Sequence, residues 1–412
     1  MTTRLLGPFA LVALCACSAQ PALDAGEPVA IRSADAGNPT TATADSVAYI
    51  AWVSGQGTGD VLFARVTDVN AGAPVVVNDV AGDAAPHDQA PPQVRVAPDG
   101  TVYVVWQNNT HVTGRRFPYS NLRLARSLNG GRSFEPAIFV NDDAGDVPSS
   151  HTFHDIAVAS DGTVYVSWID GRERARAEAT GHAMQPGQHG SHSAPGMPGS
   201  DVRVARSTDG GRTFTPGVVV FSGICPCCRT SLAISGDGHV YVAYRSEGES
   251  RDIMVSRSTD SGATFGEPVR VHADNWRIDG CPHAGPSLGV SSDGAVHVSW
   301  YTAAEARQGI WYARSTDGAA SFSAPVALQS GAWVPVAQTK LAIDAQDNVW
   351  IAWDDRREEQ HRVHLAVARD GTIERNIELD AAGKSPALAA GADAWLTWQT
   401  EAGPVVRRFS MR

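Results

Sequence analysis

The sequence predicts an all-β protein, a β-propeller of seven four-stranded antiparallel blades, with six blades as the alternative. Three observations predict it: a strand–turn–strand pattern recurs along the chain, a short Ser-Asp-Gly turn recurs after it, and 40 Gly and 24 Pro supply turns. Hydrophobic residues make up 43% of the chain and charged residues 19%, as in a globular fold with a large core. The formal net charge of -11 argues against nucleic acid as a partner.

The longer repeat is a strand, a tight turn and a second strand with alternating apolar residues. Its copies read VRVAPDGTVYVVW, IAVASDGTVYVSW, LAISGDGHVYVAY, LGVSSDGAVHVSW and LAIDAQDNVWIAW. The second strand ends in an aromatic residue, and seven such aromatics can be placed: Trp52, Trp106, Trp168, Tyr244, Trp300, Trp353 and Trp398. This count favours seven blades over six.

The shorter repeat occurs four times, starting at Ala125, Ala205, Ser256 and Ala313. In each copy Asp or Asn is expected to cap the turn, Gly to take a positive φ, and the aromatic residue to fill the gap between blades. The first copy has Asn129 in place of Asp, and the last has Ala319 in place of Gly. The positions expected to be structural are Asp209, Gly211, Phe214, Asp260, Gly262, Phe265, Asp317 and Phe322.

The two ends of the chain are predicted to close the ring together. The C-terminal segment supplies only the first three strands of a blade, while residues 27–31 resemble the fourth-strand pattern of residues 267–271. We therefore expect an N-terminal strand to complete the last blade, because closure removes the exposed sheet edges. On this basis, residues 27–412 form a single propeller domain.

The N-terminus resembles a bacterial lipoprotein signal. Arg4 precedes the short apolar run Leu5–Leu14, and Ala16-Cys17-Ser18 fits a lipobox in which Cys17 carries the lipid. The expected division is a signal peptide at 1–17 and a tether at 18–26, with an ordinary secretory signal as the alternative. The protein is then exported and held by its lipid on the membrane; Ser18 favours the periplasmic side of the outer membrane.

Propeller topology places the connections between blades and the loops between second and third strands at one end of the disc, which we call the loop face. Ten of the 13 histidines fall in these segments: His87, His111, His151, His154, His182, His189, His192, His272, His283 and His361. One of the loops, residues 169–200, also carries Met184 and Met197.

A group of cysteines on the loop face is the candidate metal site. Cys225, Cys227 and Cys228 lie in one blade connection, and Cys281 and His283 lie in the next, so they are expected to converge, with His154 or His87 nearby. Thiolate, imidazole and thioether are ligands of copper and zinc. A disulfide between Cys281 and Cys227 or Cys228 is the competing prediction, since export permits one.

The four short repeats resemble the Asp boxes of sialidases and other BNR-repeat proteins. That resemblance implies a propeller and glycoside hydrolysis with a Tyr nucleophile, a Glu partner, an Asp acid/base and three Arg that bind the substrate carboxylate. The candidate catalytic residues are Arg229, Arg245, Arg356 and Asp170.

The sequence departs from the sialidase pattern in two respects. It has no Arg-Ile-Pro motif near its start and no Tyr after Tyr312. The sequence therefore favours an envelope lipoprotein that binds a metal, a glycan or an envelope protein. A glycan-cleaving enzyme of the exo-α-sialidase type is the alternative.

Overall fold

The structure is a computed structural model that describes residues 22–412, except for 34–35, 56, 114–117 and 181–198. The predicted signal peptide and Cys17 lie outside the described residues, as do His182, His189, His192, Met184 and Met197.

The described strands form seven antiparallel sheets, each of which is one blade. Two short strands at the N-terminus, β1 (Leu23–Ala25) and β2 (Val29–Ala30), belong to the last sheet. Blade I consists of β3 (Thr40–Ala44), β4 (Val47–Ser54), β5 (Asp60–Val66) and β6 (Val75–Val76). Blade II consists of β7 (Gln93–Val96), β8 (Val102–Gln107), β9 (Leu122–Ser127) and β10 (Ile138–Phe139). Blade III consists of β11 (His151–Val158), β12 (Val164–Asp170), β13 (Ser200–Ser207) and β14 (Val218–Ile224). Blades IV and V are β15 (Ser231–Ile234), β16 (Val240–Arg245), β17 (Ile253–Ser258) and β18 (Val269–Arg270); and β19 (Ser287–Val290), β20 (Val296–Thr302), β21 (Gly309–Ser315) and β22 (Val326–Ser330). Blades VI and VII are β23 (Lys340–Ile343), β24 (Val349–Asp355), β25 (Arg362–Arg369) and β26 (Thr372–Ala382); and β27 (Lys384–Ala390), β28 (Ala394–Thr400) and β29 (Gly403–Met411). The sequence prediction of seven blades is confirmed.

The core lies between neighbouring blades, because each sheet buries both of its faces. The second strands supply the largest buried side chains, and Trp52, Trp168 and Trp353 are fully buried. At the boundary of blades I and II, the rings of Phe63 and Phe134 meet edge to face with centroids 5.2 Å apart. The aromatic residue of a short repeat therefore packs against the preceding blade, as the sequence predicts.

The short repeats form the expected turns at the end of the disc opposite the loop face. Ser207 Oγ donates to Asp209 Oδ1 (2.7 Å), and Asp209 Oδ1 also accepts the backbone N–H of Thr213 (3.0 Å). Gly211 has a φ of +75°, and a Cβ there would lie 2.8 Å from Tyr103 Cε1. Glycine is thus required both for the backbone conformation and for the close approach of the preceding blade. Asp260 and Asp317 make the matching bonds in their turns.

The N-terminus closes the ring. Strand β29 pairs with β1 (Leu23 opposite Met411) and with β2 (Val29 opposite Val406). Ile31, just beyond β2, is 1% exposed. The sheet begins at Leu23, so residues 23–25, which the sequence assigned to the tether, belong to the propeller.

The loop between β12 and β13 contains a helix that the sequence analysis treated as loop. This helix, α1, spans Arg172–Ala179, and its first residue is buried. In the described part of the chain, no helix has the length and apolar character needed to cross a membrane.

Candidate metal centre

Two neighbouring blade connections bring five of the six predicted ligand residues together. The turn that follows β14 carries Cys225, Cys227 and Cys228, and the sulfur of Cys225 lies 3.5 Å from that of Cys227 and 3.4 Å from that of Cys228. The connection from β18 to β19 brings Cys281 and His283 to Cys227, so that the three ligand atoms lie within 4.8 Å of one another. Cys227 therefore belongs to two overlapping groups of potential ligands.

The cysteines of this cluster are largely protected from solvent. Cys225, Cys227 and Cys228 are buried, and Cys281 is partly buried. None of the described cysteines is in a disulfide, so the structure does not contain the bridge that was the competing prediction. The sulfur atoms of these thiols lie close enough together to act as ligands of one ion.

The thiols influence one another's protonation. Hydrogen bonds with Cys227 and Cys228 lower the pKa of Cys225. Burial raises the pKa of Cys228 to about 12, which the positive charge of Arg245 partly opposes. The hydrogen bond with Cys225 raises the pKa of Cys281 to about 12. In the absence of a metal the cluster therefore retains most of its protons at neutral pH, and a bound cation has to displace them.

His283 is held at the open side of the cluster. Its backbone has a φ of +54°, and its carbonyl accepts a hydrogen bond from the Gln338 side-chain amide. Its Nδ1 lies 2.7 Å from Gln89 Oε1. Because an amide oxygen only accepts, Nδ1 carries the proton, which leaves the Nε2 lone pair available to a metal.

Arg245 joins the two connections that carry the cysteines. Its backbone oxygen accepts the N–H of Cys225 (3.0 Å), while its Nε donates to the carbonyl of Ala284 (2.8 Å), next to His283. The guanidinium also donates to the carbonyls of Tyr301 and Arg251 and lies over the ring of Trp276. Each guanidinium nitrogen of Arg245, which was proposed from the sequence as catalytic, thus donates to a carbonyl, and the residue positions the cysteine cluster.

The sixth predicted ligand, His154, lies apart from the cluster. It sits in an irregular part of β11, where its Nε2 donates to the carbonyl of Val105 (3.2 Å). Burial lowers the pKa of His154 to about 4. His87 is closer to the cluster. Its ring packs edge-on against Phe153. Burial is the main cause of its lowered pKa, and the nearby His283 is a smaller cause. His154 is thus not part of the ligand group.

The structure contains a second cluster that the sequence did not indicate. His151 Nε2 lies 2.9 Å from Asp143 Oδ1 and 3.5 Å from Asp170 Oδ2, and all three side chains are buried. Arg172 Nη2 and Trp168 Nε1 donate to the same Asp170 oxygen at 2.8 and 2.7 Å. Because these donors occupy the carboxylate, the cluster is an ion-pair network that fastens α1 to the blade. Asp170, a candidate acid from the sequence, is bound within this network.

The other two candidate arginines differ in their surroundings. Arg356 Nε donates to Asp354 Oδ2 (2.8 Å), and its side chain is partly exposed. Arg229 follows Cys228 directly and points into the central channel, where burial lowers its pKa to about 10. The structure therefore gives Arg229, Arg245 and Arg356 three different roles.

The sequence has no match among family models or among curated proteins. Among solved structures it is similar to a protein of unknown function from Dyadobacter fermentans, with 14% identity, a TM-score of 0.53 and coverage of 95% of this chain and 99% of that one. It is also similar to a PL25 ulvan lyase (11%, TM-score 0.57, covering 92% and 95%) and to a leech intramolecular trans-sialidase (9%, TM-score 0.51, covering 95% and 94%). The chain has a sialidase-like β-propeller fold. At these identities the similarity concerns the fold alone.

Proposed function

We propose that this chain is an exported envelope lipoprotein that binds copper(I) or zinc(II) through Cys225, Cys227, Cys228, Cys281 and His283. The observation that carries the proposal is that two separate connections deliver four thiols and an imidazole to one mostly buried group. Sulfur donors with imidazole select these two ions. Lipid attachment at Cys17 supplies the contact with the membrane, and a glycan or an envelope protein is the expected partner class.

The spacing of the sulfur atoms supports a shared cation. A metal–sulfur distance of about 2.3 Å in a tetrahedral site places two sulfurs ~3.8 Å apart. The separations of 3.4 and 3.5 Å around Cys225 are close to this value and well beyond the ~2.05 Å of a disulfide.

Two arginines lie near the cysteines. Burial raises the pKa of Cys228, the hydrogen bond with Cys225 raises that of Cys281, and the charges of Arg245 and Arg251 partly oppose these increases. Copper is favoured over zinc because Met184 and Met197, with three histidines, occur in the 169–200 loop of the same face, and a thioether suits Cu(I).

The test is a metal and thiol count on protein purified without chelators under reducing conditions. We expect bound copper or zinc that is lost in a Cys225→Ser/Cys228→Ser variant and kept in His111→Asn, which changes an exposed histidine elsewhere on the loop face. If the purified protein contains no metal and its free-thiol count is two lower than expected, the proposal of a metal site is wrong and the cysteines form a disulfide.

Catalysis of the exo-α-sialidase type is the second candidate, and it rests on the resemblance of the short repeats. The structure offers it little support, since Asp170 is bound to Arg172 and Trp168, and the donors of Arg245 are occupied by carbonyls.

A further inference from the structure

The first strands of the blades surround a central channel that contains a cavity of about 50 Å³. The polar residues that line it include Arg95, Asp155, Arg229, Ser231, Ser287 and Lys340. Several of them stand at the start of a first strand, so the cavity lies toward the loop face. A cavity of this size holds a few water molecules or one small ion and is too small for a sugar ring.

The charges that line this cavity do not balance. Its one carboxylate, Asp155, is already satisfied: Oδ1 accepts from Arg95 Nη2 (3.0 Å), and Oδ2 accepts the backbone N–H of Leu232 (3.0 Å). This pairing neutralises Arg95 and leaves Arg229 and Lys340. Asp155 and then Asp354 attract Arg229, both from beyond ion-pair distance, and Asp155 also attracts Lys340. Each carboxylate is already bonded to another arginine, Asp155 to Arg95 and Asp354 to Arg356.

Neither remaining cation has a partner among the described residues. Arg229 is 7% exposed, and its Nε is buried without an acceptor. Lys340 is partly buried and lines the cavity; burial and the charge of Arg229 hold its pKa well below the usual value. Burial and repulsion by Arg229 therefore disfavour the charged form of Lys340 unless a negative group lies between the two side chains.

Two hydroxyl groups add hydrogen-bond donors to the same cavity. Ser231 Oγ accepts the N–H of Leu288 (3.0 Å), and Ser287 Oγ accepts the N–H of Leu341 (2.8 Å). In each case the backbone uses the oxygen as acceptor, and the described residues provide no acceptor for the hydroxyl hydrogen. Both hydrogens are therefore available to a ligand that accepts hydrogen bonds.

From this geometry we propose that the channel binds a small oxyanion between Arg229 and Lys340, with Ser231 and Ser287 donating to its oxygens. A sulfate, a phosphate or a small carboxylate shares the required chemistry: negative charge, several acceptor oxygens and small size. The site is distinct from the cysteine cluster, although Arg229 adjoins Cys228 in sequence. It therefore stands whether or not the cluster binds metal.

The lysine content of the chain allows a direct test. Lys340 and Lys384 are the only lysines in the sequence, and Lys384 is exposed. Carbon-13 labelling of lysine therefore gives two signals, which a Lys384→Met variant assigns. At constant ionic strength and constant metal content, added sulfate or phosphate should shift the Lys340 signal saturably and raise its pKa, leaving the Lys384 signal in place. Acetate in a parallel titration separates a carboxylate preference from an inorganic oxyanion preference.

A binding titration with variants completes the test. Lys340→Met should weaken sulfate or phosphate binding at least tenfold, and Lys384→Met, which removes the same charge from the surface, should bind as the unmodified chain does. A Lys340 signal that does not respond to any of the three anions would overturn the proposal, as would equal binding by both variants. The signal of the unmodified chain decides the matter even if Lys340→Met does not fold.

Discussion

The sulfur of Cys227 lies within 4.8 Å of the sulfur of Cys281, although the two residues come from different blade connections. Cys227 is also the only cysteine shared by both described groups of potential ligands. Cys227→Ser should therefore lower the affinity for Cu(I) or Zn(II) more than Cys228→Ser, which affects one group. Competition with a chelator of known affinity measures the difference.

The histidine of the cluster gives a matched comparison. His283→Asn should also reduce the affinity, whereas His111→Asn should leave it unchanged, because His111 is exposed and outside the cluster. Equal affinities for Cys227→Ser and Cys228→Ser would argue against a shared ligand at Cys227 without excluding a metal site.

A buried histidine predicts loss of stability in acid. His297 bonds Tyr312 Oη (2.7 Å) and Ser291 Oγ (3.1 Å), and burial lowers its pKa to about 4. The imidazole of His297 is protonated near pH 6.5 in the unfolded chain and only near pH 4 in the folded chain. The contribution of neutral His297 to the free energy of unfolding is therefore fully present above pH 6.5 and is lost as the pH falls toward 4. At about 1.4 kcal/mol per pH unit, the loss is at most about 3.5 kcal/mol.

Denaturant unfolding at a series of pH values, with a chelator present, measures this effect. His297→Gln should flatten the dependence between pH 6.5 and 4, and His111→Gln should not alter it. Identical profiles for all three proteins would mean that His297 has the same pKa in the folded and the unfolded chain.

The turns of the short repeats predict that Gly211→Ala and Ala319→Gly change the free energy of unfolding by different amounts. Gly211→Ala should lower the free energy of unfolding by roughly 1–2 kcal/mol or more, because the new Cβ would meet Tyr103 at 2.8 Å with φ at +75°. Ala319 adopts a φ of +66° in the matching turn and is buried. Ala319→Gly relieves this backbone but loses a buried methyl group, so the net change should stay within about 1 kcal/mol. Paired denaturation curves of the two variants test this, and a larger loss for Ala319→Gly than for Gly211→Ala would contradict it.

Ring closure predicts that a residue near the N-terminus is important for stability. Ile31 is 1% exposed and packs in a cluster with Trp52 and Trp395. Ile31→Ala should cost about 2–4 kcal/mol of unfolding free energy. Val69→Ala is the control, since Val69 is 87% exposed and its truncation should cost little. Similar unfolding midpoints for the two variants would show that the N-terminal segment contributes little to the propeller.

The proposed anchor predicts a change of cell fraction. Cys17→Ala should move the protein from the membrane to the soluble periplasmic fraction, because Cys17 is the proposed lipid attachment point. Cys15→Ala is the control, since bulky Leu14 before Cys15 fits a lipobox poorly. Fractionation followed by immunoblotting reads the result, and membrane retention of Cys17→Ala would remove the anchor from the proposal.

Much of the fold was predictable because the blades repeat. Trp52, Trp106 and the other aromatics of the second strands mark each blade, and residues 29–30 form a closing strand as the sequence indicated. The convergence of Cys225–Cys228 with Cys281 followed from the order of the connections. These features depend on local patterns and on topology, which a single sequence contains.

The rest depended on contacts between distant segments. Asp143, His151 and Asp170 meet only because a loop, a bulged strand and a strand end come together. Arg95 and Lys340 occupy first strands, where a sequence pattern does not distinguish a charged side chain in the channel from one in solvent. A lysine in a strand of a chain with only two lysines was the one available signal.

The hydrogen bonds between Ala22 and Arg412 have a consequence for biosynthesis. The amide of each residue donates to the carbonyl of the other, at 3.1 and 2.9 Å, so Ala22 is held by Arg412. Blades that pair near neighbours can form as the chain emerges, but this closure waits until β29 has been made. A chain cut short before β29 loses the partner of both β1 and β2 and leaves an open sheet edge, the feature that proteases and aggregation exploit. Closure thus makes the last blade depend on segments from both ends of the described chain.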